Sequence, residues 1–200
     1  MIRISVSINE VLRDFIGQLV YTYDKYIGVS KNKEADVVNF NLINFFTFEN
    51  KYELNKFIYT EAPLEIFGHA DLISDNLMNH FNYFLEEMKD DGNIVTLVSR
   101  EVDKSIPSTF FFLSKTGCRA ENITFVSDSI KEWNNADILI TANPDALFNK
   151  PSGKISVKIK SSYNKDIAAD FELDSILDFI KDENLRNKIL NTKITTYEEI

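Results

Sequence analysis

The chain has 200 residues, 44% of them hydrophobic, with 16 Phe and a formal net charge of −9, which suits one domain with an ample core. The acidity and the lack of clustered Lys or Arg exclude general binding to nucleic acid or anionic membranes. The single Cys118 excludes an intramolecular disulfide and a Cys-based zinc site; no apolar run reaches the ~18 residues of a membrane span, and the opening Met-Ile-Arg-Ile-Ser reads as strand, so no signal peptide is expected.

Ile2, Ile4, Val6 and Ile8 alternate with polar residues, the period of a strand. Val11, Leu12, Phe15, Ile16, Leu19, Val20 and Tyr23 then fall at helical spacing and predict a helix over about 10–27. Ser7 and Asn9 stand at the strand's carboxyl end, where open α/β sheets bind ligands. Gly28 to Asp36 is polar and reads as a loop. Val37 to Phe48 fits either a strand or a short helix. Glu49 to Tyr59 predicts a helix with Leu54, Phe57 and Ile58 inward, and Pro63 to His69 a loop with buried side chains. Ser74 to Asp91 is the clearest helix. Ser74 or Asp75 can cap it, Leu77, Met78, Phe81, Phe84, Leu85 and Met88 share one face, and Gly92 ends it.

The pattern then changes. Ile94 to Val98 is a continuous apolar run, as in a buried parallel strand. A helix follows from Ser105, with Pro107 near its start and Gly117 at its end. Ile123 to Val126 is a strand, Ser129 to Asn134 a short turn with Trp133, and Ile138 to Ile140 a strand leading into Thr141-Ala142-Asn143-Pro144. Ile155 to Ile159 alternates and reads as a half-exposed edge strand. Helices over about 173–180 and 183–190 close the chain. Strands alternating with helices predict a parallel sheet covered on both faces.

The stretch from Ile2 to Phe15 resembles the first motif of the haloacid dehalogenase-like (HAD) superfamily, most of all its 5'-deoxyribonucleotidase-like branch. That motif is a strand followed by Asp-x-Asp-x-Val/Thr-Leu; aligned on Val11-Leu12, its two aspartates fall on Ser7 and Asn9. A lone first strand, a long helical insertion and a run of β-α units is also the HAD layout, so the resemblance spans the chain. It implies an α/β, HAD-like (Rossmannoid) fold: a parallel five-stranded sheet flanked by helices. Residues 1–27 and 92–200 would form the core, and 28–91 an inserted, mainly helical cap.

In HAD enzymes one Asp attacks phosphorus and a second serves as acid and base. A Ser or Thr and a Lys hold phosphate oxygens, and further acids complete a Mg²⁺ site that needs carboxylate oxygens. The resemblance maps these roles onto Ser7, Asn9, Ser99, Lys131, Thr141 and Ala142. All four carboxylate positions (Ser7, Asn9, Thr141, Ala142) are degenerate. Ser99 and Lys131 remain as phosphate-binding candidates, although Ser99 also fits a local backbone bond and Lys131 a solvated helix lysine. The expectation is therefore a catalytically inactive, non-enzymatic protein without metal or cofactor. The alternative is a divergent Mg²⁺-dependent phosphatase of 5'-deoxyribonucleotidase type. Glu10, Asp14, Asp128, Asp137 and Asp145 lie near predicted strand ends and could rebuild a site, but such acids are commonly helix-start charges. His69 and His80 read as structural. A third possibility is a module that holds phosphate at Ser99 and Lys131 without turnover.

An inactive site shifts attention to surfaces. Phe40, Phe45, Phe46, Phe48, Tyr52, Phe57 and Tyr59 fit either a protein interface or a local aromatic core. The Asn-, Lys-, Ile- and Phe-rich composition, with Asn122 to Trp133, is similar to that of HAD-like proteins of tailed, crAss-like bacteriophages. That likeness implies a virion role, as a subunit of a neck or tail ring or connector. The implied partners are other protein subunits, including further copies of the chain, in virion or host cytoplasm, with no sequence-specific nucleic acid and no membrane.

Overall fold

A computed structural model describes residues 1–28 and 41–192. Six strands, β1 (Arg3–Ser7), β2 (Ile94–Ser99), β3 (Asn122–Phe125), β4 (Ile138–Thr141), β5 (Ile155–Ile159) and β6 (Phe171–Leu173), form one sheet in the order β3-β2-β1-β4-β5-β6. Every pairing is parallel. The helices are α1 (Phe15–Tyr26), α2 (Lys51–Lys56), α3 (Leu77–Asp90), α4 (Ser105–Lys115), α5 (Pro144–Phe148), α6 (Ile176–Lys181) and α7 (Glu183–Leu190). From β1 the chain builds outward through β2 and β3, then returns to the other side of β1 for β4. The strand order therefore reverses at β1, and a crevice opens at its carboxyl end.

The alternation along β1 divides the two faces. Ile4 and Val6 point into the main core with Leu97, Ile140, Val157, Phe81, Phe84, Phe112 and Phe179. Ser5 and Ser7 point to the opposite face, where Val98, Val126, Trp133, Leu139 and Ala146 form a smaller cluster. A third cluster joins Phe15, Leu19 and Tyr23 of α1 to Phe45, Phe46, Leu54, Phe57, Ile66 and Phe67. Tyr23 meets the rings of Phe46 and Phe48 at 4.8 and 5.4 Å, and Tyr59 stacks on Phe67 at 5.7 Å. These aromatics make a local core, whereas Tyr52 is exposed. Phe40, and the loop read over 28–36 apart from Gly28, lie outside the described residues.

Several sequence expectations need correction. The sheet has six strands, not five; Phe171–Leu173 was too short to stand out. Because β6 pairs with β5, Ile155–Ile159 is not an edge, and all five of its residues are buried. Its polar members have specific partners: Ser156 bonds Asp170 at 3.0 Å, and Lys158 pairs with Glu172 at 2.7 Å. The first helix starts at Phe15 rather than near residue 10. Glu10 has φ 61°, and the amides of Leu12 and Arg13 both donate to the Ile8 carbonyl, which makes a tight turn ahead of the helix. Asp14 then caps α1 by accepting from the Gly17 amide at 2.9 Å. Residues 64–68 are a π-helical turn rather than a loop. The helix expected from Ser74 starts at Leu77, after Asn76 in a left-handed conformation, and neither Ser74 nor Asp75 caps it.

Phe84 is fully buried and meets Phe81 and Phe179 at 5.9 and 5.5 Å, tying α3 to α6. Phe84→Ala is expected to lower unfolding free energy by about 3–5 kcal/mol. Urea unfolding of both proteins checks this, and a loss under ~1 kcal/mol would show that α6 does not pack there.

Candidate functional site

The parallel register gathers three hydroxyls at one end of the sheet. Ser7 pairs with Val98, which puts Ser99 one residue further along β2, and Val6 pairs with Ile140, which sets Thr141 beside Ser7. The Ser7 and Thr141 hydroxyl oxygens are 2.8 Å apart. Ser7 Oγ also donates to Glu132 Oε2 at 2.9 Å.

Glu132 reaches this point from a 3₁₀ turn, Ser129–Trp133. Asp128 caps the turn through the Lys131 amide at 3.1 Å. Trp133 anchors it by donating its indole N–H to the Ala146 carbonyl at 2.8 Å. In a 3₁₀ turn residues three apart share a face, and Ser129 and Glu132 are both buried on the same side. Asn143 Nδ2 holds both, at 3.1 Å from Ser129 Oγ and 2.6 Å from Glu132 Oε1. Burial raises the Glu132 carboxyl above its ordinary value of 4.5, while the bonds from Ser7 and Asn143 and the charge of Arg100 pull the other way.

Beside this cluster lies a second one, centred on Arg13. Its guanidinium is fully buried and forms an ion pair with Glu101. It donates to Asn9 Oδ1 at 2.9 and 2.5 Å, to Thr109 Oγ1 at 2.6 Å and to the Phe67 carbonyl at 3.1 Å. Glu101 also accepts from Ser99 Oγ at 2.7 Å and from Thr109 Oγ1 at 2.5 Å. Burial lowers the Arg13 pKa, and Glu101 opposes that fall.

A cavity of about 270 Å³ opens over these groups. Ser7, Asn9, Ser99, Glu132 and Asn143 form its polar floor, and Phe15, Leu54, Ile58 and Tyr59 supply apolar wall. Lys51 and Arg100 also line it. Both are exposed, and neither is engaged in an ion pair among the described residues.

Of the residues singled out from sequence, Ser7, Asn9, Thr141 and Ser99 come together here. Ala142 is buried behind them, its carbonyl accepting from Asn164 at 3.0 Å. Lys131 does not reach the site: it faces solvent, 3.1 Å from Asp128 and 2.7 Å from Ser127 Oγ. Asp137 lies at the amino end of β4, paired with Arg3 at 2.6 Å. Asp14 and Asp128 serve as helix caps. Glu10 and Asp145 line the cavity, and Glu10 accepts from the Ile16 amide at 2.8 Å. His69 is exposed and packs against Phe111, and His80 is half-buried on α3.

These residues do not fit the Mg²⁺ site that the fold resemblance implies. Ser, Asn, Thr and Ala stand at the four acid positions, the Asn9 oxygen is held by Arg13, and no three acidic, His or Cys side chains are grouped for a metal among the described residues. Among the described residues, no helix is long and apolar enough to cross a membrane.

Sequence reasoning missed Glu132, Asn143, Arg100 and Lys51. A signal for Glu132 existed in the pair Ser129 and Glu132, three apart behind the cap Asp128.

No family model matches the chain, and no curated protein matches it. Solved structures do. A phosphonoacetaldehyde hydrolase like protein from Oleispira antarctica is 11% identical, with 96% of this chain and 95% of that one covered and a TM-score of 0.56. A HAD-superfamily hydrolase, subfamily IA, variant 1, from Geobacter sulfurreducens PCA is 10% identical, with 90% and 95% covered and a TM-score of 0.51. The chain thus has a HAD-like, α/β Rossmannoid fold.

The expectation of a non-enzyme is corrected. The solved proteins that share this fold are, by name, a hydrolase-like protein and a hydrolase. The expectation also rested on counting four lost acids, whereas a fifth, Glu132, is buried against Ser7 in the same crevice.

The raised Glu132 carboxyl has a consequence for stability. Between 4.5 and its raised value the folded chain holds a proton that the unfolded chain has released, so stability falls as pH rises through that window. Glu132→Gln is expected to remove this slope. Urea midpoints from about pH 4 to about pH 8 check it, and parallel profiles for the two proteins would contradict a raised carboxyl.

Proposed function

We propose that the chain is a hydrolase of small phosphomonoesters, a divergent phosphatase nearest in kind to the 5'-deoxyribonucleotidases. The observation that carries this reading is the pair of exposed cations, Lys51 and Arg100, which make no ion pair among the described residues, beside a floor of hydroxyl and amide groups at the strand-order reversal. Charge-assisted donors suit a phosphoryl group, and an apolar wall suits the organic part of an ester. The cavity volume favours a small substrate. On this reading residues 28–91 act as a cap on a core of 1–27 and 92–200, and the cap contributes Lys51, Leu54 and Ile58 to the cavity lining. No structural observation supports the expected phage or virion role.

Hydrolysis of an aryl phosphate and of deoxynucleoside monophosphates, with Mg²⁺ and with a chelator, tests the reading. Turnover in either buffer is expected, and none in both would refute it. Arg100→Ala is expected to lower kcat/KM roughly ten- to hundredfold, the worth of a charged hydrogen bond. Lys131→Ala, which alters a lysine outside the cavity, is expected to leave it unchanged.

A further inference from the structure

We infer that Ser7 is the nucleophile of this hydrolase and Glu132 its general base, a serine–carboxylate pair assembled from β1 and the turn before β4. The inference rests on the phosphomonoesterase reading and assigns its chemistry. No acid at the positions expected from sequence is involved.

Several observations converge on the pair. A serine hydroxyl is a weak nucleophile until an adjacent base takes its proton, and Glu132 Oε2 is 2.9 Å from Ser7 Oγ, within reach for that transfer. A useful base is itself held in place: Asn143 Nδ2 binds the other carboxylate oxygen at 2.6 Å, and Trp133 and Asp128 fix the turn beneath it. Thr141 Oγ1 lies 2.8 Å from Ser7 Oγ, accepts from the Asn143 amide at 3.1 Å and bonds the Glu132 carboxyl, so it helps to hold the base beside the serine. Both partners line the cavity beside Arg100, so the pair faces the space where an ester would sit. Burial also raises the Glu132 carboxyl, which makes it a stronger base once ionised.

The reaction balances in two steps. Ser7 Oγ attacks the phosphorus of the ester; the Oγ–P bond forms, the bond from phosphorus to the leaving oxygen breaks, Glu132 takes the serine proton, and the departing alkoxide on the opposite side of phosphorus takes a proton from solvent water. Water then attacks the phosphoserine from that opposite side and gives a proton to solvent. The P–Oγ bond breaks as protonated Glu132 returns its proton to Ser7 Oγ, releasing inorganic phosphate and restoring the carboxylate. Asn143 and Thr141 are positioning residues.

The test uses the full chain and an isotopically chiral phosphomonoester. Two displacements at phosphorus leave its configuration retained, whereas direct attack by water inverts it. Retention is expected, with kcat lowered at least about a hundredfold in both Ser7→Ala and Glu132→Gln. Glu132→Gln is nearly isosteric, and a cooperative thermal transition in both variants shows that they fold. The wild-type rate is expected to fall at acidic pH as Glu132 is protonated, and Glu132→Gln to lack that limb. Inversion, or a Ser7→Ala protein within about threefold of wild type, would overturn the assignment yet leave the phosphomonoesterase reading intact. A wild type that hydrolyses no phosphomonoester would overturn both.

Discussion

A guanidinium with no exposed surface stands at the centre of this molecule. Arg13 cannot be buried without partners, because an uncompensated interior charge costs several kcal/mol. Its partners come from four parts of the chain: Asn9 after β1, Phe67 in the inserted segment, Glu101 after β2 and Thr109 on α4. The rings of Phe67 and Phe112 lie 4.9 and 5.2 Å from it, one from each of two core clusters. The main core and the aromatic core therefore meet at one charge, and satisfying that charge fixes the turn that carries Asn9 and the loop after β2 that carries Glu101.

That constraint also sorts the polar groups of the crevice into two sets. Asn9 and Ser99 are turned toward Arg13 and Glu101, so their hydrogen bonds run inward. Ser7, Thr141, Glu132 and Asn143 form a separate set on the other side of β1. The first set holds the structure together. The second is tied to the first by strand register, and its Ser7, Glu132 and Asn143 line the cavity without being bound to the buried ion pair.

The sheet was largely legible in the sequence, because continuous apolar runs such as Ile94 to Val98 and Ile138 to Ile140 admit few alternatives. Phe171–Leu173 was not, since three residues carry no periodicity and its pairing with β5 is a tertiary event. At the site, sequence alignment could place residues on strand ends, where the register is regular, and so found Ser7, Ser99 and Thr141. It could not set the phase of the turn before β4. One residue's shift there exchanges Lys131 for Glu132, and the phase is decided by where Trp133 finds a pocket and an acceptor, 13 residues away. Side chains that enter a site from a short turn are fixed by such distant packing, not by a local pattern.

The exchange of acids has an electrostatic logic. A carboxylate at position 7 would lie against Glu132, and two carboxylates at hydrogen-bond distance cannot both ionise at neutral pH. A serine at position 7 therefore goes together with an acid at position 132, since the hydroxyl donates where a carboxylate would repel. Asn9 follows the same rule, because an aspartate there would share Arg13 with Glu101 and crowd a second negative charge into a buried network with one cation. Ser7, Asn9 and the two glutamates are thus one arrangement: the negative charges sit in the segments that follow β2 and precede β4, not at the end of β1. An aspartate placed at position 7 alone would create a crowded acid pair, and Glu132 would have to be neutralised for it to ionise.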